Sequence, residues 1–91
     1  MNPVELKVAR TRANKTQEDM AKILGLSVVA YSKKERGETR FSIEQVAVVA
    51  VVLMLDLDAV NVIFFDGKLP KRKDGTAELR VGNDADGRAP T

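Results

Sequence analysis

Gly25, Leu26 and Ser27 constrain this chain more than any other feature, because they put a helix stop and a helix start one residue apart. Met20, Ala21, Ile23 and Leu24 before them carry the apolar spacing of a helix. Gly25 supplies the left-handed backbone that a tight helix end requires, and the Ser27 hydroxyl is suited to capping the first amides of the next helix. Two helices joined by so short a turn must cross at a steep angle.

The flanking segments extend the pattern. Pro3 opens a first helix carrying Val4, Leu6, Val8 and Ala9 and running to about Ala13, with proline where no amide hydrogen is needed. Asn14 and Lys15 break it. Thr16 then caps the second helix, and Asp19 three positions on favours its positive N-terminal end. The third helix runs from Ser27 through Tyr31 and Lys34 to a stop at Gly37. Ser42 and Gln45 form a capping box, with Phe41 placed to staple onto Val46. The run from Val46 to Leu55 is apolar at every position and rich in valine, so a buried strand competes with a helix there. The cap and the length of the run favour the helix. Asp56 caps a last helix carrying Leu57, Val60, Ile63 and Phe64, which Gly67 ends. The expected fold is all-α: five helices in a compact domain over residues 1–65.

Residues 66–91 read differently. Gly67, Pro70, Gly75, Gly82, Gly87 and Pro90 punctuate a charged stretch in which Leu69, Leu79 and Val81 are the only large apolar groups. So little apolar surface does not offset chain entropy, and a flexible polar tail is expected, Leu79–Val81 being the one place for a brief strand.

Composition removes several functions. The 91 residues include no cysteine and no histidine, which excludes disulfide frameworks, zinc fingers, thiol nucleophiles and imidazole bases. A single small domain also leaves little scaffold for a walled substrate pocket. The acidic pairs Glu18/Asp19 and Asp56/Asp58 sit at helix starts, where acids favour the helix dipole. We therefore expect a binding protein rather than an enzyme, with no metal and no cofactor. Val46–Phe65 is interrupted by Asp56, Asp58 and Asn61 and falls short of the roughly 18 apolar residues of a membrane span. Asn2, Glu5, Lys7 and Arg10 break any signal-peptide core, so a cytoplasmic location fits.

The formal charge is only +2, yet its distribution is uneven. Residues 1–40 hold nine basic and five acidic side chains, giving +4, whereas residues 41–65 hold three acids and no base, giving −3. A polyanion would meet the first forty residues. Ordinary solvated helix faces are the plain alternative.

Thr16 to Gly37, TQEDMAKILGLSVVAYSKKERG, carries threonine-glutamine at a helix start, a small residue (Ala21) inside that helix, the glycine turn, the capping serine and glutamate-x-glycine at Glu35 and Gly37. With the helix before it, this stretch resembles the helix-turn-helix of Cro and lambda-type repressors, often called XRE-like regulators. The resemblance covers Val4 to about Phe65. It implies a lambda-repressor-like fold and a transcription regulator of the phage-repressor type that binds double-stranded DNA with the helix at about 27–36 in the major groove.

In that family the exposed early positions of the third helix read bases, which implies Val28, Val29, Ser32 and Lys33 here. The valines depart from the pattern, since they lack donors and acceptors and offer only apolar contact, for example to thymine methyls; a protein contact is the alternative. Thr16 and Gln17 at the second helix start, and Lys34, Arg36 and Arg40 at the end of the third, are the candidate phosphate contacts, although capping alone accounts for Thr16. Arg10 and Arg12 on the first helix add backbone attraction or are solvated ends. Tyr31 has core spacing.

At 100° per residue the fourth helix turns Val46, Val49, Ala50 and Leu53 to the core and leaves Val48 and Val51 outside beside Glu44 and Val52. Val48, Val51 and Val52 thus form a candidate partner surface, with a homodimer the simplest occupant; cover by the last helix or the tail is the alternative. A protein-interaction module on the same fold, antitoxin-like or regulator-binding, remains the rival function.

Overall fold

The computed structural model describes residues 1–70. Five helices follow in order: α1 Pro3–Arg12, α2 Gln17–Leu24, α3 Val28–Glu35, α4 Ile43–Val52 and α5 Leu57–Phe65. The described residues contain no strand. The expected residues 71–91 of the tail, with the brief strand at Leu79–Val81, lie outside the described part.

Local chemistry sets the boundaries. Each helix has a capping side chain that accepts a hydrogen bond from an amide three residues on: Asn2, Thr16, Ser27, Ser42 and Asp56. Asn2 is the one that proline at the helix start had masked. Thr16 with Asp19, and Ser42 with Gln45, close full capping boxes, and the second explains why the valine run is a helix: its start satisfies two orphan amides before propensity is tested.

The first four helices end alike. In each, the residue at the stop adopts positive φ: Asn14 at 57°, Gly25 at 70°, Gly37 at 83° and Met54 at 55°. The amide of the following residue reaches back five positions, Lys15 to Arg10, Leu26 to Ala21, Glu38 to Lys33 and Leu55 to Ala50. Three of these stops carry glycine or asparagine, which tolerate the left-handed region; the fourth carries methionine. This turn ends α4 at Val52, so the last three residues of the apolar run, 53–55, lie beyond the helix.

Leu6, Met20, Ala21, Tyr31, Val49, Leu53 and Ile63 form the buried core, drawn from all five helices and the stop of α4. The small Ala21 of α2 is buried, and α2 packs on α3. Phe41 is half-buried and meets Tyr31 and Phe64 edge-on, with ring centroids 6.2 and 5.5 Å apart, a favourable aromatic geometry. Val4, Val8 and Ile23, part of the apolar spacing of α1 and α2, are exposed, because each of these helices buries only a narrow stripe.

The chain also folds back beyond residue 65. The Gly67 amide donates to the Asn61 carbonyl at 3.0 Å, and the Leu69 amide to the Asn61 side-chain oxygen at 2.8 Å. Asn61 is buried in α5 and so tethers residues 67–69 to the helix.

Candidate nucleic-acid interface

A buried ionic network fixes α3. The Arg10 guanidinium on α1 donates through Nε to both Glu35 carboxylate oxygens, at 2.7 and 3.1 Å, and through Nη1 to the Lys15 carbonyl at 2.8 Å. Gln17, first residue of α2, adds Nε2 to Glu35 Oε1 at 2.9 Å. One carboxylate at the end of α3 thus binds α1 and the start of α2, while Arg10 holds the turn between those two helices. Arg10 and Glu35 are both buried, and losing either partner would strand an uncompensated charge at a cost of about 3–5 kcal/mol. Arg10 is therefore no surface residue available to a polyanion, as its sequence context had left open. Its signal lay in spacing: Arg10 follows buried Leu6 by four positions and Glu35 follows buried Tyr31 by four, so each continues a core-facing stripe.

Tyr31 is fully buried, and its hydroxyl has no hydrogen-bond partner among the described residues. Burial, with the Glu35 carboxylate nearby, pushes that hydroxyl well above the ordinary phenol range. It stays neutral and belongs to the core.

The outer face of α3 is open. Val28 and Val29 are 42% and 66% exposed in its first turn, and Lys33 is exposed one turn further on. Ser32 is half-buried between them. Its hydroxyl accepts from Arg36 Nη1 at 2.5 Å, while Arg36 Nε pairs with Glu38 at 2.7 Å. Arg36 is thus laid back over the end of the helix. This pair holds the Glu38 carboxyl below, and the Arg36 guanidinium above, its ordinary range. Lys34 keeps its stem half-buried and donates Nζ to the Arg40 carbonyl at 2.7 Å, 5.9 Å from the Phe41 ring centroid. That contact fixes the loop carrying the exposed Arg40.

At the neighbouring start of α2, Thr16 is exposed, and its hydroxyl accepts from the Asp19 amide at 3.0 Å and donates to the Asp19 carboxylate. The Asp19 carboxylate accepts from the Thr16 amide at 2.8 Å, and this bond, ahead of that to the Thr16 hydroxyl, keeps its pKa below the usual carboxylate range. Gln17 commits one amide hydrogen to Glu35 and retains the other.

On α4, Val48 and Val51 are exposed as expected from the helical wheel. Val52 is corrected: it is half-buried and packs against the core, so it does not extend the outer stripe. Met54 extends that stripe instead.

Two short helices crossing at a glycine turn, the second capped by serine and exposed along its outer face, define a helix-turn-helix domain. The family model described as helix-turn-helix matches residues 6–60. Comparison with curated proteins and with solved structures gives no match. With most of its length covered, the chain belongs to the XRE-like helix-turn-helix family. It is a DNA-binding helix-turn-helix regulator, of a family that is not typically enzymatic. Among the described residues no group of three potential metal ligands comes together and no helix is long and apolar enough to cross a membrane.

Proposed function

We propose that the protein is a sequence-specific transcription regulator of the phage-repressor type, acting inside the cell on duplex DNA, with α3 lying in the major groove. The observation that carries this reading is the exposed outer face of Val28, Val29 and Lys33 on a helix whose inner face is pinned by the Arg10–Glu35 pair. A rigid rod with a free outer face suits groove entry, since bound geometry need not be assembled on contact. Lys33 and Ser32 supply the polar base contacts, Ser32 on release of Arg36. Val28 and Val29 pack on thymine methyl groups.

Thr16, Gln17, Lys34, Arg36 and Arg40 serve the phosphates on either side. Thr16 donates its hydroxyl hydrogen on release from the Asp19 carboxylate, and Gln17 its remaining amide hydrogen; Lys34 also braces the Arg40 loop. Domain use follows: residues 1–65 bind DNA and 66–91 form an accessory tail. The regulator works as a homodimer on paired half-sites, and the exposed Val48 and Val51 of α4 supply apolar surface for that contact.

Selection from a random duplex pool with the purified chain should enrich one motif. Against it, Lys33→Ala should lose about 1–3 kcal/mol while binding to random duplex changes little. Affinity should fall steeply with added salt. Enrichment of no motif, together with salt-insensitive behaviour, would favour a polypeptide partner instead.

A further inference from the structure

Helices α1 and α5 leave an open groove of about 530 Å³ between them, closed at one end by the turn after α4. Glu5, Val8 and Arg12 line its α1 wall, Val62 its α5 wall, and Met54 its lip. We propose that this groove is a two-fold interface in which α1 of a second copy lies antiparallel to α1 of the first. The proposal deepens the homodimer reading above and rests on it.

Three observations select a second copy as the occupant. Glu5, Val8 and Arg12 are spaced i, i+3 and i+7, so they fall within about 60° of one another on the helix. The acid and the base stand at opposite ends of this stripe, about 10 Å apart at 1.5 Å per residue, with the valine between them. Turned end for end, the stripe is its own complement: Glu5 meets Arg12 of the partner, Arg12 meets Glu5, and the valines meet at the axis. This is the property an isologous contact needs. Among the described residues neither Glu5 nor Arg12 enters an ion pair within the chain.

Met54 is the third observation. It occupies a helix stop with φ 55° where the three equivalent stops carry asparagine or glycine, and it is 90% exposed. The backbone gains nothing from methionine at that φ. A flexible thioether at the rim of an apolar groove does gain from a partner that covers it, because methionine adapts to irregular surfaces. Val51, exposed in the last turn of α4 three residues before it, carries the apolar surface on from the groove. That continuity supplies area towards the roughly 800 Å² per partner that a stable contact requires.

Sedimentation equilibrium of the full chain, with circular dichroism to monitor folding, tests the arrangement. Glu5→Arg and Arg12→Glu should each weaken self-association at least about tenfold, since each puts like charges together twice. The double exchange Glu5→Arg/Arg12→Glu should restore it to within a few-fold of the unaltered chain. Met54→Asn should leave the thermal midpoint unchanged or higher while weakening association severalfold, an outcome that a purely structural methionine would not give. Single variants that associate normally, or a double variant that fails to recover, would overturn the groove. If Val48→Glu/Val51→Glu alone yields monomers while the charge variants do not, the dimer stands and its interface lies on α4. An unaltered chain that stays monomeric at all concentrations removes the dimer itself, while leaving DNA binding by one domain intact.

Discussion

The two halves of the domain spend their charges in opposite ways. Residues 1–40 are basic and place two of their charges inside, where Arg10 and Glu35 join α1, α2 and α3. Residues 41–65 contain no basic side chain, hold their core with Val49, Leu53 and Ile63, and leave Val48, Val51 and Met54 outside. In the first half, directional bonds fix the relative orientation of three short helices. In the second, non-directional apolar burial suffices, and part of the apolar surface stays open to a partner. A DNA-binding surface depends on orientation, whereas an association surface depends on area and complementarity.

The largest effect should come from the ionic network. Glu35→Ala is expected to cost about 3–5 kcal/mol in urea denaturation, because it leaves Arg10 buried without its partner. Replacing both with apolar residues, Arg10→Met with Glu35→Leu, should recover most of that stability. If the double variant remains fully stable and still binds duplex with unchanged affinity, the network does not orient the interface and the comparison between halves loses its point.

A smaller effect sharpens the comparison from the apolar side. Ser42→Ala opens the capping box of α4 and should cost about 1 kcal/mol. The valine-rich sequence depends on that cap more than a leucine-rich helix would. Helical content from circular dichroism, beside the denaturation curve, checks whether α4 frays at its start.

Tyr31→Phe should change stability by no more than about 1 kcal/mol, in either direction, since the hydroxyl it removes has no partner among the described residues. A loss well beyond that would show that the hydroxyl contributes to the network beside it. The smallest effect concerns acid. The folded-state pKa of Asp19 is depressed, so its contribution is present above the ordinary carboxylate value and is lost as pH falls through the lowered one. Asp19→Asn should therefore lower stability modestly at neutral pH and least below the depressed value, flattening the acid limb of the profile, as followed by thermal melts against pH.

Most of the fold was legible because its signals are local. Thr16, Ser27, Ser42 and Asp56 cap as their residue types suggest, and Gly25 and Gly37 take the positive φ that a stop demands. The candidate interface was legible only in part. Exposure of Val28, Val29 and Lys33 is what the family resemblance implied, but the ties of Gln17 to Glu35, Arg36 to Ser32 and Glu38, and Lys34 to the Arg40 carbonyl were not legible. These depend on how side chains turn once neighbouring segments are in place. Val52 shows the same limit: the helical wheel put it outside, and core packing drew it partly in.

The sequence by itself determined where helices begin and end, that the second and third cross steeply, and that positive charge gathers in the first forty residues. Those properties reside in capping, φ preference and composition, which act over a few neighbouring residues. Only the tertiary structure decided that Arg10 belongs to Glu35, 25 positions away, and that Glu5, Val8 and Arg12 share a groove with Met54 and Val62. Such pairings arise when the whole chain has closed around one core, because burial and proximity between distant segments do not exist before then.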